Sequence, residues 1–203
     1  MSEASGQDGQ VDEAAAQEAE RDAVLVERLK EGDSKALDQL YRRHRGAAYG
    51  IAFRLVGSRE DALDVVQESF IHVMRGIQAF RGQSSFRTWL YRIVTHAGLD
   101  YRRWRSHRRA ESLDAETALE PAADGPSHPT PPEEASERDL RRAIDEALAN
   151  ISEKNRAALV LYALEGMSYK EVAEVLGISV GTVMSRIFNA RQRLRELLAT
   201  EIG

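Results

Sequence analysis

Apolar residues recur along most of this chain at spacings of three, four and their sums, the period of a helix with one buried stripe. Val24, Leu25 and Leu29 predict a short amphipathic helix from Asp22 to Gly32. Ser34 is placed to cap a second, whose apolar positions Leu37, Leu40, Tyr41, Ala48, Ile51 and Leu55 carry it to Gly57. Ser58 opens a third, with Ala62, Val65, Val66, Ser69, Phe70, Val73 and Ile77 facing inward. Beyond a loop from Phe80 to Ser85, Ser84 or Ser85 caps a fourth helix built on Phe86, Trp89, Leu90, Ile93 and Val94. The period returns at Leu140, Ile144, Leu148 and Ile151, then from Ser152 through Ala158, Leu159, Leu161, Tyr162 and Leu164 to Gly166. Strand-like alternation does not occur, so the expected class is all-α.

The densest punctuation lies between Ser168 and Arg195. Ser168 and Glu171 form a capping box, in which the hydroxyl accepts an amide N–H while the carboxylate reaches back to the cap. Val172, Ala173, Val175 and Leu176 make the apolar face of the helix that follows, and Gly177 stands where a left-handed residue is required. Ser179 then caps a second helix with Val183, Ile187 and Leu194 turned inward. Two helices, a tight bend and a basic second helix describe a helix-turn-helix, which lays its second helix in the major groove of DNA. The residues placed to face DNA are Ser179, Gly181, Thr182, Met184, Ser185, Arg186, Phe188, Asn189, Arg191 and Arg193.

Charge changes the picture by its distribution. The 203 residues sum to −5, but residues 1–20 carry six acids and no Lys or Arg, and residues 21–110 carry 18 basic against 10 acidic side chains. Residues 111–136 carry seven acids, no Lys or Arg and all five prolines, too polar and broken to fold alone; residues 137–203 carry ten of each sign. The expected organisation is a disordered acidic N-terminus (1–20), a basic helical domain (21–110), an acidic flexible linker (111–136) and a helix-turn-helix domain (137–203). No cysteine is present, and no apolar run approaches the ~20 residues that span a bilayer, which predicts a cytoplasmic protein without membrane insertion. No metal cluster, phosphate loop or nucleophile–base pair stands out, so the reading assigns no enzyme activity, no cofactor and no metal.

Two further stretches suggest chemistry. The second half of the fourth helix sets Tyr101 and Trp104 among Arg102, Arg103, Arg105, Arg108 and Arg109, a mixture that stacks on unpaired bases and holds phosphates. On the third helix, Asp61, Asp64, Gln67 and Glu68 lie along one polar flank.

In this order the pieces resemble the extracytoplasmic-function (ECF, group 4) sigma factors of the sigma-70 family. The likeness rests on Asp61-Ala62-Leu63-Asp64-Val65-Val66-Gln67-Glu68-Ser69-Phe70, on Phe80-Arg81-Gly82 with Phe86-Arg87-Thr88-Trp89-Leu90-Tyr91-Arg92-Ile93, and on Gly181-Thr182-Val183 with Ser185-Arg186-Ile187-Phe188. The resemblance implies a first domain (region 2) that docks on the β′ clamp helices of core RNA polymerase through Asp61, Asp64, Gln67 and Glu68. The same domain would open the −10 element with the loop Phe80, Arg81, Gly82, Gln83, Ser84 and Ser85, together with His96, Tyr101, Arg102, Arg103, Trp104 and Arg105. The second domain (region 4) would read the −35 element of promoter DNA and touch the β flap, and an anti-sigma factor would hold the protein in check. His96 stands where the family commonly has Asn, His72 where Lys is frequent, Met184 where Arg or Lys is frequent, and Asn189 where another basic residue is usual. The competing reading is a stand-alone helix-turn-helix regulator, which has no need of the flank on the third helix.

Overall fold

The structure, a computed structural model, describes residues 4–111 and 143–202, all of whose regular elements are helical. The acidic linker, apart from Glu111, and the beginning of the second predicted domain lie outside the described residues. Helix α1 spans Ala4–Lys30, α2 Ser34–Val56, α3 Arg59–Gly76 and α4 Phe86–Glu111, with a 3₁₀ turn at Ile77–Ala79. Helix α5 covers residues 143–149. Helix α6 spans Glu153–Leu159 and passes into a π-helical turn, Val160–Leu164; α7 is Tyr169–Leu176 and α8 is Val180–Ile202.

The caps explain where these helices begin. Ser58 accepts from the Asp61 amide and Ser85 from that of Thr88, as the sequence pattern predicts. At α2 the cap is Asp33 rather than Ser34: its carboxylate accepts from the Lys35 amide while its other oxygen takes Arg28 of α1 at 2.6 Å. That Arg28 bond, first among several, holds the Asp33 carboxyl below its ordinary range. A carboxylate that closes one helix end and opens the next outcompetes the serine beside it. Over residues 1–20, where the composition leaves disorder or a frayed helix open, the helix α1 begins at Ala4. Their Ala, Glu and Gln are strong helix formers, and Leu25 and Val26 anchor the same helix in the core.

Helices α2, α3 and α4 close around Leu40, Ile51, Leu55, Val73, Leu90 and Val94, all at most 1 % exposed, with α1 laid across α2 and α4. Asp22 of α1 is buried against α2, its two oxygens meeting His44 Nε2 at 2.7 Å and Arg43 Nη1 at 2.5 Å. The second group packs α6 and α7 on α8 through Leu161, Val172, Val175, Val183, Ile187 and Ala190. The two groups also meet: α7 lies on α4, and α6 with its π turn reaches α2. Charge complementarity marks that junction. Arg102 pairs with Glu153 at 2.9 Å, Arg54 faces Asp145 at 3.4 Å, and Arg87 donates to the Glu165 carbonyl. In these three contacts the cation comes from the basic first group and its acceptor from the second.

Candidate nucleic-acid interface

Helix α7, the bend and α8 form the helix-turn-helix as its local signals predict. Both bonds of the Ser168–Glu171 capping box are present, and Gly177 adopts φ 63°, a left-handed conformation closed to most side chains. Ser179 accepts from the Thr182 amide at 3.2 Å and its hydroxyl meets that of Thr182 at 2.8 Å, so both hydroxyls sit at the amino end of α8. Burial of Val183, Ile187 and Ala190 turns the opposite face outward. Val180, Met184 and Phe188 stand 43 %, 53 % and 66 % exposed, a large apolar area for a surface helix. Gly181, Thr182, Ser185 and Asn189 are also exposed, and Arg186 is half-buried. Ser185 spends its hydroxyl on the Gly181 carbonyl, and Arg193 is tied to Glu196 at 3.2 Å.

In the first group, Phe80 stacks on Trp89 with centroids 4.7 Å apart, which fixes the start of the loop against α4. Arg81, Gly82 and Gln83 are exposed beyond it, Gly82 at φ 67°. Ser84 is half-buried, and Ser85 is used as the helix cap. Trp104 is 51 % exposed, with the Arg108 guanidinium 4.7 Å over its ring. Arg103 pairs with Asp100, Arg102 with Glu153 and the Leu55 carbonyl, and Arg105 with Asp61. His96 and Tyr101 line a cavity of about 470 Å³ between α3 and α4, together with Glu68, His72, Trp89 and Arg92. Burial, and then the Asp61 carboxylate, push the Tyr101 hydroxyl up to about 12.

The polar flank of α3 divides in two. Asp64, Gln67 and Glu68 are exposed, whereas Asp61 turns toward α4, where it accepts from the Tyr101 hydroxyl and pairs with Arg105 at 2.7 Å. The outer face carries three apolar side chains that the polar pattern did not single out: Leu63, Ile71 and Met74, at 53 %, 38 % and 55 % exposure. With Asp64 and Gln67 they follow i, i+3, i+4 spacing, which places them on one stripe.

The Sigma-70 region 2 family model matches residues 40–110, and the Sigma-70 region 4 model matches residues 141–194. The chain is similar to the ECF RNA polymerase sigma-E factor of Haemophilus influenzae, 39 % identical over 182 residues that cover 85 % of this chain and 93 % of that one. It is likewise similar to the RNA polymerase sigma-H factor of Pseudomonas aeruginosa, 37 % identical over 88 % of this chain and 94 % of that one. This chain belongs to the ECF sigma factors. Among solved structures, the sigma factor RpoE in complex with the anti-sigma factor NepR from Bartonella quintana superimposes with a TM-score of 0.66, at 25 % identity, over 81 % of this chain and 98 % of that one. CnrH in complex with the cytosolic domain of CnrY gives 0.64, at 30 % identity, over 88 % and 97 %.

As a sigma factor, the protein binds core RNA polymerase and promoter DNA, initiates transcription, and acts in the cytoplasm where the polymerase works. No helix among the described residues is long and apolar enough to cross a membrane. Sequence reasoning named His96, Tyr101, Glu68 and His72 separately and did not bring them together with Trp89, Arg92 and Asp100 as one cavity wall of this sigma factor. Trp89, Arg92, His96 and Asp100 follow i, i+3, i+7, i+11 spacing on α4, and Glu68 with His72 follow i, i+4 on α3, signals that the charge pattern alone obscured.

Proposed function

We propose that residues 21–110 of this sigma factor engage core polymerase and the −10 element, that residues 111–136 connect, and that residues 137–203 read the −35 element. The observation that carries this reading is the exposed stripe of Leu63, Asp64, Gln67, Ile71 and Met74 on the same bundle as the cavity at His96. A regulator working alone has no use for such a stripe, whereas a docking helix needs apolar anchors ringed by polar partners. We assign the β′ clamp helices as its partner and the β flap as the partner of the second domain.

At the −35 element, the amino end of α8 brings Ser179, Gly181 and Thr182 to phosphates. Ser185, Arg186 and Asn189 face base edges; Asn reads adenine in bidentate fashion, and Met184 with Phe188 offers apolar contact to thymine methyl groups. Arg191 and Arg193 supply phosphate contacts. At the −10 element, the loop Phe80 to Ser85 and the 470 Å³ cavity receive an unstacked base between Trp89 and Tyr101, with His96 on its edge and Arg102, Arg103, Trp104 and Arg105 along the strand. The work is done by binding energy, so no catalysed step or cofactor is assigned to the chain. Control by an anti-sigma factor extends to this protein what the Bartonella quintana complex records for its relative.

Run-off transcription with core polymerase, on promoters selected from a random pool, tests the whole reading. Initiation that depends on the added protein is expected, and initiation indifferent to it overturns the proposal. Met74→Ser combined with Asp64→Ala lowers core association while leaving the fold intact by circular dichroism.

A further inference from the structure

The π-helical turn Val160–Leu164 is an uncommon element, and such turns are frequent at functional sites. Its wider winding shows in the bonds that close it, from the Glu165 amide to the Val160 carbonyl at 3.2 Å and from Met167 to Leu161 at 3.1 Å. Val160 and Leu161 remain fully buried, while Tyr162 emerges on the flank of the helix-turn-helix. There its ring lies parallel to that of Tyr169, the first residue of α7, with 4.7 Å between centroids and 2° between planes. The Arg191 guanidinium of α8 sits on the same ring, 5.2 Å from its centroid. Three elements thus converge on one aromatic ring.

Two arginines of α8 make a useful contrast. Arg193 shares an exposed ion pair with Glu196 one turn on, whereas among the described residues no carboxylate pairs with Arg191. A ring face attracts a guanidinium without cancelling its charge, and it leaves the N–H groups at the rim of the cation free for a second acceptor. Arg191 also lies seven residues beyond Met184, two turns along the same flank of α8, where a helix in the major groove passes the phosphate backbone.

We propose that Tyr162, backed by Tyr169, is a positioning residue that holds Arg191 extended for a phosphate of the −35 element. The inference rests on the reading of α8 as the −35 helix. A free arginine loses much rotamer freedom when it clamps a phosphate, and a side chain already stacked in the unbound protein has lost part of it beforehand. Tyr162 touches no DNA itself; it acts through Arg191.

The test uses holoenzyme reconstituted from core polymerase and the full chain, bound to a promoter duplex selected from a random pool, with KCl varied. Arg191→Ala is expected to weaken binding and reduce the slope of log affinity against log salt by about 1. Tyr162→Leu is expected to reproduce part of that loss, about two- to fivefold, while Tyr162→Phe, which keeps the ring, stays near the parent. Adding Tyr162→Leu to Arg191→Ala is expected to cost nothing more. If Tyr162→Leu matches the parent while Arg191→Ala is impaired, or if the two losses add in full, the positioning role is lost and the −35 reading survives. If Arg191→Ala matches the parent, Arg191 makes no such contact and the inference also fails. If Arg186→Ala matches the parent as well, the −35 reading itself falls. Tyr162→Phe falling as far as Tyr162→Leu overturns the stacking, since the hydroxyl alone would then be responsible.

Discussion

Arg156 of α6 donates from Nη1 to the main-chain carbonyl of Arg54 in α2, 3.3 Å away, from a side chain that is 1 % exposed. It is the largest fully buried side chain in the described structure, and its Nε finds no partner. Burial, and then the nearby Arg102 cation, push its guanidinium down to about 10, against the opposing pull of Glu153. The two helical groups are therefore joined partly through a charge that is poorly compensated where it lies.

That imbalance separates two substitutions. Arg156→Met keeps most of the volume and removes the buried cation, so the unfolding free energy is expected to stay within about 1 kcal/mol of the parent or to rise. Arg156→Ala opens a cavity and is expected to cost about 2–3 kcal/mol. Urea unfolding of both variants decides the point; a Met variant as unstable as the Ala variant shows that the guanidinium's own bonds dominate.

If the two groups read the −10 and −35 elements as proposed, the junction has to part on a promoter. Elements centred near −10 and −35 lie about 25 base pairs apart, or about 85 Å at 3.4 Å per pair, far beyond the reach of two groups in direct contact. Because the chain has no cysteine, Lys35→Cys with Glu174→Cys gives a clean pair of dye sites, both exposed and one on each group. Energy transfer is expected to be high in the free protein and to collapse in the promoter-bound holoenzyme. Unchanged transfer means that the groups read DNA without separating.

Asp22 ties α1 to α2 through His44 and Arg43 at only 2 % exposure. Removing the carboxylate leaves the buried His44 ring without its partner while Arg43 turns to solvent, so Asp22→Ala is expected to lose about 2 kcal/mol in urea unfolding. A loss below about 1 kcal/mol shows that α1 contributes little to the bundle.

Alkaline pH offers a further check at Tyr91, whose hydroxyl is pushed up to about 12 by burial and then by the Glu165 carboxylate across the junction. Between pH 10 and 12 the unfolded tyrosine has lost its proton and the folded one keeps it. The folded state then binds more protons, so this residue's contribution, complete below pH 10, is lost as pH rises through 12. Arg156 acts in the opposite sense, since its folded form sheds a proton near 10 while the unfolded side chain does not. Tyr91→Phe is therefore expected to fall less steeply with pH than the parent over pH 10–12. Parallel curves for the two proteins remove Tyr91 from the account.

The helical class, the helix-turn-helix and the family were all legible in the sequence. The Ser168–Glu171 box, the Gly177 bend and the Ser179 cap are made between residues two to four apart, and the same few atoms meet whatever the rest of the chain does. The periodic stripes likewise announced α2, α3, α4 and α8, because burying one face of a helix needs only the right spacing. Only the tertiary structure could turn Asp61 away from its flank to Tyr101 and Arg105, forty residues and more along the chain. It alone joined Asp22 to His44, shaped the cavity at His96, stacked Tyr162 beneath Arg191 and set α7 against α4. The physical reason is one of range: a cap or a stripe is an energy between near neighbours, whereas these partners are chosen by which faces meet once every helix has already formed.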